Sequence, residues 1–210
     1  MLPWYTRLVL PSAIDLVCGL PMVTRKRQQV VPLASGRVLE VGIGTGLNLR
    51  HYDRTRVQSV TGLDPGVELH PKARRRIAQS GLAVDLLALS AEQIPCGDAS
   101  FDSVVVTYTL CTIPDPLAAL REMRRVLAPG GALLFCEHGR APDARVARWQ
   151  DRLQPLWGPL AGGCHLNRDI PALLQAARFT CPTLHTGYVT GPRVLGYHYW
   201  GTAQVAESPA

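Results

Sequence analysis

The 210-residue chain contains no CxxC pair among its six cysteines, no uninterrupted apolar run of membrane-spanning length, and no internal repeat, low-complexity tract or clear linker. Each absence removes a class of protein. Cys18, Cys96, Cys111, Cys136, Cys164 and Cys181 follow none of the spacings of zinc or redox motifs, so no metal site is expected. Reduced cysteines, behaving as small apolar residues in a reducing cytoplasm, account for them most simply. Leu8–Val23 is apolar, but Pro11, Asp15 and Pro21 interrupt it, and a spanning helix needs about 20 largely apolar residues. The same stretch has neither the basic start nor the small-residue cleavage site of a signal peptide. Three readings stay open for it: a core helix, a lid over a pocket, or a helix lying in a membrane surface. Aromatic and basic residues do not alternate and no RNP-like run is present, so no nucleic-acid partner is expected.

What is present suits one α/β domain. With 47% hydrophobic residues, a chain of this length can bury a sizeable core. The formal charge of +6 comes mainly from arginine, much of it in Lys72–Arg76 (KARRR) and between Arg121 and Arg152. Arginine scattered over helices reads as a solvated face, with an anionic membrane or an acidic substrate as the alternative. Short apolar runs at Arg37–Val41, Val57–Leu63, Val84–Leu89, Phe101–Thr107 and Ala132–Cys136 predict strands. Helical patterns separate or follow them: a short helix through Asn48–Tyr52, then Glu68–Ser80, Pro116–Leu127, Ala144–Leu160 and Asp169–Ala177. Such alternation predicts a doubly wound, mostly parallel sheet covered on both faces. Two late runs, Thr183–Val189 and Val194–Thr202, flank a tight Thr190-Gly191-Pro192 turn and predict an antiparallel C-terminal hairpin at one edge.

The chemistry begins in Val38–Asn48, VLEVGIGTGLN. Gly42, Gly44 and Gly46 follow the first strand, where ligands of parallel sheets bind. Glycine there lets the backbone turn and approach a ligand with no Cβ in the way. The dinucleotide fingerprint G-x-G-x-x-G would need its third glycine where Leu47 stands. Glu40, two residues before the loop, adds a carboxylate that repels a pyrophosphate and attracts an ammonium or a sulfonium. Asp64, followed by Pro65, ends the second strand and can accept hydrogen bonds from both ribose hydroxyls. After the third strand, Ser90, Ala91 and Glu92 can reach an adenine edge, and Thr107 ends the fourth strand at the same crevice. A cationic amino acid joined to adenosine is S-adenosylmethionine.

In this order VLEVGIGTG, VTGLDP, LSAEQIPCGDASFDSVVVTYTLCTI and LREMRRVLAPGGALLF resemble the motifs of the class I S-adenosylmethionine-dependent methyltransferases, from Val38 to Leu134. The resemblance implies a Rossmann-like, seven-stranded sheet and S-adenosyl-L-methionine as cofactor. The C-terminal part is similar to the thiol methyltransferases of animals in Thr109-Leu110-Cys111, Glu137-His138, the helix around Trp149–Trp157, Gly163-Cys164-His165-Leu166-x-Arg168 and Ala177-x-Phe179. Bacterial phospholipid N-methyltransferases and ubiquinone C-methyltransferases share the core motifs.

The implied organisation is a methyltransferase domain at 37–205, preceded by an N-terminal segment, 1–36, that is a helical lid or a membrane contact. The expected reaction is methyl transfer to a small, apolar acceptor, a thiol by preference, with phosphatidylethanolamine N-methylation or quinone C-methylation as alternatives. The location expected is the cytoplasm, with or without peripheral membrane contact. A non-catalytic cofactor-binding protein is the rival of another class. Candidate catalytic groups follow the fifth strand, Glu137 and His138, or lie in a glycine-bounded loop, Cys164. Each has a plainer role: His138 can cap a turn, Glu137 can pair with an arginine, and Cys164 cannot readily face its neighbour His165. Trp149 and Trp157 fall near one helix face and suit either an apolar pocket or the core.

Overall fold

A computed structural model describes residues 10–66 and 71–206. Its strands are β1 Gly36–Val41, β2 Val57–Leu63, β3 Val84–Leu87, β4 Phe101–Thr107, β5 Leu127–His138, β6 Phe179–Tyr188 and β7 Tyr197–Val205. Its helices are α1 Leu10–Cys18, α2 Pro21–Val30, α3 Pro71–Ser80, α4 Pro116–Val126, α5 Ala144–Leu160 and α6 Ile170–Ala176. The strands form one sheet in the order β3-β2-β1-β4-β5-β7-β6. The first five pair in parallel, and β7 runs antiparallel to both β5 and β6. Alternate side chains of the central strands enter two separate cores, because successive Cβ atoms point to opposite faces. Val104, Val106, Leu133 and Phe135 pack with Leu120 and Met123 of α4, whereas Val105, Leu134 and Cys136 pack with Val30, Val31 and Ala34. Strands buried on both faces therefore read as continuous apolar runs. The order reverses direction between β1 and β4, which is where a ligand crevice opens in such sheets.

Several boundaries differ from the sequence expectation. The helix expected through Asn48–Tyr52 is a single 3-10 turn, Leu49–His51. Asn48 and Tyr52 turn inward to Glu40, and Asp53 starts a new turn by accepting from the Thr55 N–H at 2.9 Å. Of the helix expected at Glu68–Ser80, Glu68–His70 lie outside the described residues. Pro129-Gly130-Gly131, expected to follow the fourth helix as a stop, lies inside β5, where the register with β4 slips between Phe101 and Ser103. The hairpin turn is longer than Thr190-Gly191-Pro192: residues 189–196 close it, with the Val189 N–H donating to the Gly196 carbonyl at 2.8 Å. Gln150 of α5 holds this connection by donating to the Val194 carbonyl at 3.1 Å.

Helix α2 packs on the β5 and β7 side of the sheet, and α1 meets the glycine loop that follows β1. Asp15 of α1 accepts from Thr45 Oγ1 at 2.5 Å, Arg76 Nη1 at 2.6 Å and Lys72 Nζ at 2.7 Å. Burial opposes its ionisation, but Arg76, Lys72 and Thr45 outweigh burial and hold its carboxyl well below the usual range. Two cations of the KARRR run thus hold α1 on α3, and Arg76 also reaches Thr45 of the glycine loop. Leu16 and Val17 of the same helix stay mostly exposed. No helix among the described residues is long and apolar enough to cross a membrane.

Candidate active site

A cavity of about 550 Å³ opens over the carboxyl ends of β1, β2 and β4. Glu40, Gly42, Gly44, Asp64, Pro65, Ala91 and Thr107 line it; Gly46 and Glu92 do not. Gly46 shapes the turn from behind, with φ +78°, and a Cβ there would stand 2.9 Å from Leu49 Cδ1. Glu92 accepts from Ser90 Oγ at 2.5 Å and from the Asp115 N–H at 2.8 Å, so its carboxylate braces the start of α4 instead of facing the cavity. Gly44 has φ +49°, and the nearest heavy atom to a Cβ placed there is Asp64 Oδ2 at 3.8 Å. That open side is the close approach the loop allows a ligand. Asp64 accepts from the N–H groups of Gly44 at 3.1 Å and Gly66 at 2.8 Å, which pins the loop against the end of β2.

The polar end of the cavity holds opposite charges. Glu40 is 1% exposed and accepts from Tyr52 Oη at 2.8 Å and Asn48 Nδ2 at 3.0 Å. Burial pushes its pKa up to about 7, against the pull of Tyr52, Arg27 and Asn48. Arg27 of α2 is buried beside it, donating to Asn48 Oδ1 at 2.8 Å and to Thr107 Oγ1, with its guanidinium 4.9 Å from the Tyr108 ring centre. Its Nε is buried without a partner, an orphan donor that calls for an acceptor. A carboxylate and a guanidinium at one end fit the ammonium and carboxylate of an amino acid, and Asp64 at the other fits ribose hydroxyls. Sequence reasoning missed Arg27, which reads as part of a solvated basic run. The available signal was its spacing: Val23, Arg27 and Val30 are the buried residues of α2, spaced as one helix face.

A second cavity of about 510 Å³ adjoins the first and shares Leu10, Ile14, Cys18, Tyr108 and Thr112 with it. Val17, Val23, Trp157, Leu166 and Leu195 give it an apolar wall, interrupted by Cys111, His138 and Cys164. His138 Nε2 stands 3.2 Å from Cys164 Sγ. Burial lowers the His138 pKa, but Cys164 and Glu137 outweigh burial and raise it above the ordinary imidazole value. The Cys164 thiol is raised by its contact with Cys111 and by burial. His165 does not bond Cys164: its backbone N–H donates to the Cys111 carbonyl at 2.8 Å, and its Nδ1 lies 3.1 Å from the same oxygen. Glu137 lines neither cavity. Its Oε1 accepts from the N–H groups of Thr109 at 2.7 Å and Leu110 at 3.1 Å rather than from an arginine, and burial pushes its pKa up to about 6. It therefore fixes the loop dividing the cavities. Tyr108, in the same loop, adopts φ +54°, a conformation unusual for a bulky residue. Trp149 stays half-exposed under Arg152, away from both cavities.

The sheet order, its antiparallel edge and this crevice define the Rossmann-like methyltransferase fold. A family model for a methyltransferase domain matches residues 39–135. Thiol S-methyltransferase TMT1B of Rattus norvegicus is 34% identical over 169 residues, covering 76% of this chain and 68% of the relative. A phosphatidylethanolamine N-methyltransferase of Cereibacter sphaeroides is 36% identical over 139 residues, covering 64% and 68%. This chain thus spans about two thirds of the length of these relatives. Among solved structures, N-methyltransferase NodS from Bradyrhizobium japonicum WM9, bound to S-adenosyl-L-homocysteine, has TM-score 0.63 at 20% identity, covering 89% of each chain. The [4+2]-cyclase SpnF has TM-score 0.65 at 22% identity, covering 89% of this chain and 80% of its own; the fold alone therefore does not fix the reaction. The chain belongs to the class I S-adenosylmethionine-dependent methyltransferases, with S-adenosyl-L-methionine as its cofactor and a methyl group as what it transfers.

Proposed function

We propose that the protein methylates the sulfur of a small apolar thiol. The observation that carries this reading is the second cavity: an apolar chamber against the cofactor cavity, in whose lining the sulfurs of Cys111 and Cys164 come together with the imidazole of His138. Curated relatives named thiol S-methyltransferases support it. In this reading Arg27 and Glu40 receive the carboxylate and ammonium of the cofactor, Asp64 its ribose hydroxyls, and Ala91 with the backbone around it the adenine. The bound cofactor supplies a methyl group already activated by its sulfonium, so the chain's contribution is chiefly orientation. Tyr108 and Thr112, common to both cavities, set the line along which the two reactants meet. The acceptor's sulfur rests against Cys111, His138 and Cys164 while its apolar body fills the chamber beside Trp157 and Leu195. Glu137 is a positioning residue, holding Thr109 and Leu110 in place. Of the segment 1–36, residues 1–9 lie outside the described residues; α1 acts as its lid, and 37–205 carries the catalytic domain.

Leu195→Trp tests the assignment by filling the second chamber alone. Thiol methylation should be lost while calorimetric cofactor affinity is kept; loss of both, or of neither, would refute the division of roles. One observation favours a second reading, phosphatidylethanolamine N-methylation: Leu16, Val17, Leu156 and Leu160 expose an apolar rim on α1 and α5, and a relative carries that name. Methylated lipid from vesicles, with no thioether, would establish it.

A further inference from the structure

Cys111 lies in the loop after β4, His138 ends β5, and Cys164 follows α5. Three distant stretches thus converge, and one donor atom from each lies within 4.8 Å of the other two. Tetrahedral zinc, with Zn–S near 2.3 Å and Zn–N near 2.0–2.1 Å, keeps its ligand atoms about 3.5–3.8 Å apart. Shifts of about an ångström or less would close this triangle around such an ion. The backbone is already braced for it: the Cys111 carbonyl accepts from the His165 N–H at 2.8 Å, and the Cys164 carbonyl from Gln154 Nε2 at 3.1 Å. Arg168, bonded to the Leu110 carbonyl, places a cation whose field reaches both cysteines. The sequence spacing carried no metal signature, because the ligands come together only through the sheet.

We infer that Cys111, His138 and Cys164 bind a thiophilic divalent cation, zinc by ligand class, whose fourth position faces the acceptor chamber and takes the sulfur of the thiol. The inference rests on the thiol reading above and names its means of activation. Two sulfurs and one imidazole with an open fourth position is the ligand set of catalytic zinc; structural sites are closed by four protein ligands. All three residues line the chamber, so the open position faces the acceptor. A coordinated thiol is deprotonated, whereas a free thiol with pKa about 8.5 is only about 3% thiolate at pH 7. The acceptor's S–H bond breaks and its proton passes to solvent. A sulfur lone pair then forms the new S–CH3 bond as the methyl–sulfonium bond breaks, and that bonding pair stays on the cofactor's sulfur. The cation is neither oxidised nor reduced, and the thioether product, uncharged and a weaker ligand, leaves. With three thiolates and one imidazole around the ion the net charge is −1, which Arg168 offsets in part while it also faces the buried Glu137.

The test uses the full chain, reduced with a phosphine so that no thiol reagent competes, and titrated with Co2+ and then Zn2+. The expected result is one equivalent of Co2+ with thiolate-to-metal charge-transfer and tetrahedral d–d bands, displaced by Zn2+. A small alkyl thiol should perturb those bands. Cys164→Ser and His138→Gln should abolish the spectrum while keeping cofactor affinity, which serves as the folding check; Cys181→Ser should change nothing. Stripping the metal should slow thiol methylation at pH 7 by up to about thirtyfold, the inverse of the free thiolate fraction. No stoichiometric binding, or binding that survives both substitutions, overturns the site. Unchanged thiol methylation after stripping overturns the inference and leaves the thiol reading standing. A metal site blind to thiols, in a chain that forms no methyl thioether, overturns both the fourth-ligand assignment and that reading.

Discussion

Glu40 makes cofactor affinity depend on pH in a direction the structure sets. Its carboxyl, fully buried, has a pKa pushed up to about 7, above the ordinary carboxylate value of about 4.3. If the ionised form receives the cofactor's ammonium, binding at lower pH must first remove a proton. The cost, RT ln(1 + 10^(pKa − pH)), is about 1.4 kcal/mol at pH 6 and about 0.2 kcal/mol at pH 7.5. Affinity should therefore rise roughly eightfold over that interval, in which the ligand's own α-amino group, with pKa about 7.7–8.0, stays mostly charged. Binding at pH 6 should release close to one proton. Calorimetry in two buffers of different ionisation heat measures both quantities. Glu40→Gln should bind more weakly by about 1.5–3 kcal/mol at pH 7.5 and show neither slope nor proton release. The same linkage makes the cofactor-free protein less stable as pH rises from about 4.3 towards 7, since the folded state holds the proton that the unfolded state has lost. A flat affinity in the parent protein, or an equal slope in Glu40→Gln, would refute the reasoning.

Arg27→Met should weaken cofactor binding by about 1.5–3 kcal/mol, the scale of a lost charge-assisted hydrogen bond, and shift the pH slope upward because Glu40 loses a neighbouring cation; titration calorimetry reads both. Asp15→Ala should lower thermal stability by about 1–3 kcal/mol, less than a fully buried pair because Lys72 and Arg76 are 51% and 32% exposed. That contribution is present above the unfolded aspartate pKa of about 3.9 and is lost as pH falls below it towards the depressed folded value, so the variant and parent melting curves should converge in acid. Gly44→Val should abolish cofactor binding in a folded protein, since a β-branched residue is strained at φ +49° and fills the approach to the loop; retained affinity measured by calorimetry would make the loop purely structural.

The fold was legible because the central parallel strands are buried on both faces and so appear as apolar runs, as Val104–Val106 and Leu133–Cys136 do. Helix α5 matches its expected bounds at both ends, despite Pro155 and Pro159 within it. Local signals failed where tertiary contacts overrode them: Glu40 captures Asn48 and Tyr52, so the helix after the glycine loop never forms. The lining of the first cavity was readable at Glu40, Gly42, Gly44 and Asp64 since these acids and glycines follow consecutive strands. Gly46 and Glu92 stand outside that lining: Gly46 turns the loop beside Leu49, and the Glu92 carboxylate is held by Ser90 and the Asp115 N–H. Arg27 and the Cys111–His138–Cys164 cluster were hidden for another reason. Their partners lie far away in sequence, 80 residues from Arg27 to Thr107 and 26 from His138 to Cys164, and only the sheet order brings them together.

The most direct test of methyl transfer to a thiol is a single competition. The full chain is given methyl-labelled S-adenosylmethionine together with a small apolar thiol, anionic phosphatidylethanolamine vesicles and a quinone precursor, and the labelled product is identified by mass spectrometry. The account predicts the labelled methyl thioether, formed at the same rate when the vesicles are left out. Labelled N-methylated lipid or C-methylated quinone, with no thioether, would contradict it.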